Sequence, residues 1–328
     1  EQLAAINLVT PMQNIITNFG SGITVAGAVL IAQYIGAGEK EDARSMANQI
    51  FICAMGFAVV CAALCFLGTP AIVNWLGADG GTAYYARVYL RVVIWDMPFL
   101  YMVNIFSAVH QAQGDTVRPM LLNLGGITLN LFLDPFFMII LDMGTAGAAL
   151  ATLLAKAVPA TVAFILLCRP ENDICLNRRY MQLQREKLGM ILKVGLPTAI
   201  GGSTMQLGFL LMSKNVFVYG TEAMAAYGIG NKVNGLITLP SNAIGSATAT
   251  IVGQNMGAKQ PERAEQGYRF SMWISVVFLF IGGMILSRDM ISTAIVRIFS
   301  KDAEVVGMAA DFLSVMAFWC FTNGIYNT

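Results

Sequence analysis

The sequence predicts an all-α polytopic membrane protein, and three observations predict it. The 328-residue chain is 56% hydrophobic, with a mean hydropathy of +0.65. Only 12% of its residues are charged, about half of the roughly 25% found in soluble domains, so a soluble globule of this size would lack a solvating surface. The apolar residues gather in runs that reach the ~20 residues a spanning helix needs, and the period-two alternation of barrel strands is absent. The same composition excludes disorder. A formal net charge of +1 gives no bulk attraction to nucleic acid. The six cysteines (53, 61, 65, 168, 175, 320) have no metal-ligand or CxxC spacing. Most lie in apolar runs, where cysteine packs as a small hydrophobe, so no disulfides are expected.

Nine apolar segments follow one another. The first, 5–36, ends at the polar string GAGEKEDAR. The second, 48–76, ends at GADGG, and its last part, 69–76, reads as interfacial. The third, 86–112, is followed by GDTVRP, and the fourth, 118–141, by DMGTAG. The fifth, 145–168, leads into the one long connection, 169–187 (RPENDICLNRRYMQLQREK). The sixth, 188–214, ends at YGTE, and the seventh, 222–256, at GAKQPERAEQ. The eighth is 266–287, after which 288–300 reads as interfacial, and the ninth is 304–328. Arginine and lysine set the orientation. One set of loops holds twelve (40, 44, 118, 169, 178, 179, 185, 187, 193, 259, 263, 269) and the other five (87, 91, 288, 297, 301). The richer side, with the 169–187 loop, is expected to be cytoplasmic, and the protein to be multi-pass in a cytoplasmic (inner) membrane.

An internal repeat organises the chain. Residues 4–43 align without a gap on 225–264, with 12 of 40 positions identical, including Gln33/Gln254, Gly36/Gly257, Glu41/Glu262 and Ala43/Ala264. The likeness resumes at IVNWLGAD (72–79) and IVRIFSKD (295–302). The repeat divides the chain into an N-terminal lobe, 1–168, the 169–187 loop, and a C-terminal lobe, 188–328. Segment 188–214 precedes the second repeat, so a counterpart is expected before residue 1. The counterparts of 118–168 are expected beyond residue 328. Each lobe then has six helices, related by a pseudo-two-fold along the membrane normal, and this chain holds helices 2 to 10 of twelve, truncated at both ends.

Six strings come in a fixed order: QYIGAGEKEDAR (33–44), QAQGDTVRPM (111–120), NLFLDPFF (130–137), GTAGAALAT (144–152), VGLPTA (194–199) and GQNMGAKQPERA (253–264). Together they resemble the multidrug and toxic compound extrusion (MATE) family, over essentially the whole chain. The resemblance implies a cation-coupled antiporter, driven by protons or sodium, that exports organic cations and drugs by alternating access of its two lobes.

A charge in the bilayer core costs about 2.5–3.5 kcal/mol on insertion scales, so a carboxylate there points to function. Asp134 sits inside segment 118–141, and Asn123, Asn130 and Asp134 fall within roughly 40° of one another on a helix of 100° per residue. Thr152, about seven residues into the returning helix, is level with Asp134. The alternative for Asp134 is that it satisfies backbone freed by Pro135. The resemblance implies that Asn130, Asp134 and Thr152 form the cation site of the N-terminal lobe, and that its remaining carboxylate belongs to the first helix of the family. Asn123 reads as structural.

Asp96, Lys156 and Lys232 are the other ionisable residues inside segments, and Lys214 reads as snorkelling to the interface. Lys156 is one turn beyond Thr152 on the same face and is expected to meet Asp134 or Asp96. In the sharper version it holds Asp134 ionised in one state; in the plainer one it pairs with Asp96 and stabilises the lobe. The single histidine, His110, is read as interfacial. Some family members carry a glutamate about eight residues after the GLP motif; here Met205 and Gln206 stand in that place, so the coupling ion is assigned to the N-terminal lobe.

The expectation is therefore a transporter of small amphipathic organic substrates, embedded in the lipid bilayer as a monomer, with no cofactor beyond the coupling proton or sodium. The competing transporter reading is a lipid-linked oligosaccharide flippase of the same superfamily. That cavity would need basic residues for pyrophosphate, and only Lys156 and Lys232 lie well inside helices. An enzyme is not expected: HExxH, GxSxG and a phosphate-cradling loop are all missing from the sequence. A two-fold repeat without a filter-like string argues against a channel.

Overall fold

A computed structural model describes residues 2–75, 80–170 and 172–328. Among these the chain is helical: α1 (Gln2–Gly36), α2 (Lys40–Trp75), α3 (Gly80–Val93), α4 (Asp96–Ala112), α5 (Val117–Pro135), α6 (Gly144–Cys168), α7 (Arg185–Phe217), α8 (Thr221–Gly257), α9 (Pro261–Leu286), α10 (Asp289–Phe299), α11 (Ala303–Trp319) and α12 (Phe321–Asn327). A π-helical turn, Phe136–Ile140, continues α5. Part of the GADGG connection, including Asp79, lies outside the described residues.

Among the described residues, four helices are long and apolar enough to cross a membrane, and up to six if two bent pairs, α3 with α4 and α11 with α12, each count as one span. The sequence suggested nine. Helices α7 and α8 have the length, but glycine, serine, threonine and asparagine along them dilute the apolar signal. The expected single helix over 86–112 is broken at Ile94–Trp95. Pro98 is the cause: it has no N–H to give the Ile94 carbonyl one turn back. That carbonyl accepts instead from Met97 N at 3.4 Å.

The repeat is present in backbone geometry. α1 ends at Gly36 and α2 begins at Lys40; α8 ends at Gly257 and α9 begins at Pro261, each 221 residues later. The two turns carry matching hydrogen bonds: Glu39 N to Tyr34 O and Gln260 N to Asn255 O, both 2.9 Å, and Ala43 N to Glu39 O and Ala264 N to Gln260 O, at 3.0 and 3.1 Å. This closure places one residue in the left-handed region. It is Gly38 in the first turn (φ 78°) and Lys259 in the second (φ 57°). The broken helix also recurs, since α3 begins at Gly80 and α11 at Ala303, 223 residues on.

Two compact units divide at Ser203/Thr204, inside α7. In the first, the core is formed by Ile31, Met46, Ile50, Met97, Tyr101, Phe106 and Leu167, all fully buried. The first half of α7 belongs here because it lies backbone to backbone on α1: a Cβ on Gly22 would stand 2.5 Å from the Gly195 carbonyl oxygen. The 169–187 connection is laced to α2. Gln49 Nε2 donates to the Tyr180 and Gln182 carbonyls (3.2 and 2.7 Å), and its Oε1 accepts from Gln184 N at 3.0 Å. Asn48 Oδ1 accepts from Asn177 N at 3.1 Å, Arg44 Nε donates to Asp173 O at 2.6 Å, and Lys187 pairs with Asp42 at 2.8 Å.

In the second unit, Ala226 and Val233 of α8, Val296 of α10, and Val305, Val306, Ala309 and Leu313 of α11 form a smaller core. Close approach again relies on glycine. A Cβ on Gly230 would overlap the Phe312 ring at 2.3 Å, and one on Gly283 would meet the Ala317 carbonyl oxygen at 2.1 Å. The piece expected to be interfacial, 288–300, contains the short amphipathic α10, whose Ser292 and Val296 are buried. The other such piece, 69–76, continues α2 as helix to Trp75.

Candidate functional site

The helix break places the first ionisable side chain. Asp96 is the first residue of α4, so its carboxylate sits at a helix N-terminus, where negative charge is favoured. It is sealed from solvent (0% exposed) and forms an ion pair with the Lys156 ammonium, whose side chain is 30% exposed. One ladder runs along the same face of α4: Asp96, Leu100 and Val103, at helical spacings of four and three.

α5 and α6 contribute two matching ladders. Asn123, Gly126, Ile127 and Asn130 on α5, and Thr152, Ala155, Lys156 and Pro159 on α6, each follow the i, i+3, i+4, i+7 spacing of a single helix face. With Leu100 and Val103 they line a cavity of about 240 Å³. The helices meet here because Gly126 has no side chain; a Cβ would stand 3.0 Å from Pro159 Cγ and 3.1 Å from the Ala155 carbonyl oxygen. Ala155 is one turn before Pro159, so its carbonyl has lost its helical donor, and the bare Gly126 backbone packs over it.

Three of the polar side chains are anchored on their own helices. Asn123 Nδ2 donates to Pro119 O at 2.9 Å, and Thr152 Oγ1 to Ala148 O at 2.9 Å. Asn130 Nδ2 donates to Asp134 Oδ1 at 3.2 Å. Asp134 continues the α5 ladder one turn past Asn130, next to Pro135 and the π-helical turn, and is half-buried. That turn is held by Leu141 N to Phe136 O at 3.1 Å, and a Cβ on Gly147 of α6 would stand 2.8 Å from the Phe137 carbonyl oxygen.

Asn123, Asn130, Thr152 and Lys156 thus share one cavity, Asp96 stands behind Lys156, and Asp134 is joined to the wall through Asn130. The ion pair of Lys156 is with Asp96 rather than in the sharper pairing with Asp134. Equal depth on neighbouring helices fixes height but not direction around the axis, and the break in the α3–α4 segment turns Asp96 toward α6. Tyr89 on α3 was not foreseen. It is buried and lies within electrostatic reach of both Asp96 and Asp134. Its spacing of seven from Asp96 would have marked it only on an unbroken helix. His110 was expected at an interface; it is buried, with Nδ1 at 3.0 Å from the Phe106 carbonyl oxygen and its ring 4.0 Å from the Phe106 ring.

The second unit holds a cavity of about 440 Å³ lined by Asn231, Asn234, Asn242, Asn323 and Asn327 with Thr238 and Met205 among others, and its described lining carries no carboxylate. Met205 occupies the place after the GLP motif where a glutamate was sought.

The MatE family model matches residues 1–136 and 197–328. Among curated relatives, "Probable multidrug resistance protein NorM" of Thermotoga maritima is 29% identical over 313 residues, 93% of this chain and 66% of that protein. "Probable multidrug resistance protein YoeA" of Bacillus subtilis is 24% identical over 323 residues, 96% of this chain and 69% of that protein. "Multidrug export protein MepA" of Staphylococcus aureus is 25% identical over 327 residues, 98% and 71% respectively. Among solved structures, a mutant of the Vibrio cholerae MATE transporter VcmN superimposes with a TM-score of 0.93 at 21% identity, covering 99% of this chain and 73% of that one. An outward-facing MATE family multidrug resistance transporter gives 0.89 at 24%, covering 99% and 74%.

Proposed function

The chain belongs to the MatE family, a family of multi-pass membrane transporters and not of enzymes, and from that premise we propose that it exports small amphipathic organic cations in exchange for a proton or sodium ion bound at Asp134. One observation carries the assignment of the ion. Of the two carboxylates on the cavity side of the first unit, Asp96 is already neutralised by Lys156. Asp134 has no salt-bridge partner among the described residues and is held by an uncharged amide. It is the acid left for a mobile cation. Asn130 fixes its orientation, and Thr152, whose hydroxyl hydrogen is taken by Ala148 O, has its oxygen lone pairs left to accept. The second unit's cavity, lined by amides, supports placing the ion in the first unit.

Export of drug-like cations is supported by the multidrug names of the relatives and by a cavity whose wall is mostly apolar. A pyrophosphate-bearing lipid would need several cations, and among the described residues the cavity offers Lys156 alone, already paired. The loop 169–187, laced to α2, is placed on the cytoplasmic side in this reading, in an inner membrane. Drug counterflow in proteoliposomes under a pH gradient or a sodium gradient tests the scheme and names the ion. Asp134→Asn is expected to insert normally and lose gradient-driven transport. Full drug resistance in cells carrying Asp134→Asn would end the coupling claim.

A further inference from the structure

Resting on the export reading above, we propose that Lys156 determines substrate specificity: its ammonium binds a carboxylate or carbonyl oxygen of the substrate, so the cavity favours zwitterionic amphiphiles over purely cationic ones of the same shape. Among the described residues, Lys156 is the only charged one lining the cavity between α4, α5 and α6. A bare ammonium there would repel every cation the protein exports. Asp96 removes that repulsion from behind. Its carboxylate is completely buried, whereas the lysine side chain is 30% exposed, so the pair is neutral overall and turns only its positive end to the cavity.

An ammonium has three N–H donors and no acceptor, and the ion pair uses Asp96 Oδ2 as one partner. The remaining donors are left for a ligand in the cavity that Lys156 lines. The rest of the polar wall has a different character. Thr152 gives its hydroxyl hydrogen to its own helix, while Asn123 and Asn130 each give one of two amide N–H groups, to Pro119 O and Asp134 Oδ1 respectively. Thr152 is left as an acceptor, and each asparagine keeps a carbonyl oxygen and one uncharged N–H. Lys156 is therefore the one charged donor among the described lining residues, and the ligand chemistry it fits is an oxygen acceptor with negative charge. At the far end of the α5 ladder Asp134 stands one turn, roughly 6 Å of helix rise, beyond Asn130. A substrate carboxylate would therefore meet complementary charge at Lys156, while Asp134, outside the cavity lining, stays with the coupling ion.

The test is a pair of dyes that differ in one group: rhodamine B, with a free carboxylate, and its ethyl ester, a permanent cation. Export of each is measured in proteoliposomes, normalised to reconstituted protein, for the whole protein and for Lys156→Met, Lys156→Arg and the uncharged double variant Asp96→Asn/Lys156→Met. The ratio of acid-dye to ester-dye export is expected to fall at least tenfold in Lys156→Met and in the double variant, and to stay within about threefold in Lys156→Arg. The double variant leaves no lone buried charge, so it separates recognition from folding. A parallel fall for both dyes in the double variant, or an unmoved ratio, would overturn the proposal and leave the export reading standing. Export of neither dye by the wild-type protein would overturn both.

Discussion

The Asp96–Lys156 pair makes an asymmetric prediction about stability. Lys156→Met leaves a carboxylate that is 0% exposed with its cation removed; breaking a buried ion pair from one side costs about 3–5 kcal/mol. Asp96→Asn leaves the ammonium, but that side chain already reaches the cavity and keeps an amide oxygen as acceptor, so its loss is about 1–2 kcal/mol, the scale of a weakened hydrogen bond. The double variant Asp96→Asn/Lys156→Met removes both charges and is expected to recover most of the larger loss. For a unit of roughly 200 residues, 1 kcal/mol moves the midpoint by about 2–4 °C. The single variants should therefore fall by about 6–20 °C and 2–8 °C, and the double variant should lie close to Asp96→Asn. A thiol-reactive fluorogenic dye on detergent-purified protein reads this directly, because Cys53, Cys61 and Cys65 are half-buried on α2 in the same unit. Equal losses for the two single variants, or a double variant as unstable as their sum, would refute the idea that burial of Asp96 governs the pair.

Three further outcomes follow from the backbone. Gly147→Ala must push on the Phe137 carbonyl at 2.8 Å, whereas Gly189→Ala on α7 meets nothing within 4 Å; the first is expected to lower the midpoint and the second to raise it by the equivalent of ~0.5–1 kcal/mol. In the paired turns, Lys259→Gly is expected to stabilise by up to ~1 kcal/mol by removing left-handed strain, and Gly38→Ala to destabilise by about as much, both read as midpoint shifts. Gln49→Ala deletes three hydrogen bonds that hold residues 180–184, so trypsin is expected to cut after Arg178, Arg179 or Arg185 several times faster; an unchanged cleavage rate would mean the connection is held elsewhere.

Much of the first unit was legible in the sequence, because a bilayer protein writes its helices as apolar runs and its turns as polar strings. The ends of α1 and α6, and of α8 and α9 in the second unit, fall within five residues of the expected segment ends. The repeat was legible to the level of one turn: aligned identities such as Gly36/Gly257 and Ala43/Ala264 flank two turns with the same hydrogen bonds. The left-handed Lys259 was hidden, since a lysine gives no local sign that it occupies a position its partner gives to Gly38. The α3–α4 break was missed although Pro98 stood in plain view. Hydropathy averages across a proline, while the backbone carbonyl one turn earlier does not.

That break also explains why the site was only partly legible. Periodicity alone brought Asn123, Asn130 and Asp134 onto one face of α5, and put Lys156 one turn from Thr152 on α6; those relations are internal to a helix and survive folding. Which acid Lys156 meets depends on the direction each helix presents to its neighbours. A continuous helix through residue 96 would have assigned Asp96 a direction by counting 100° per residue from Tyr89 and Val93. With the ladder interrupted at Ile94–Trp95, α4 restarts with its own phase, and Asp96 becomes its first residue, with the favourable end of the helix behind it and Lys156 in front. The pairing takes Lys156 away from Asp134 and leaves the latter to a neutral amide. A proline that disturbs one carbonyl thus sets the charge available at a second carboxylate on another helix, and the proposed export scheme rests on this division of roles, one acid for the resident lysine and one for a travelling ion.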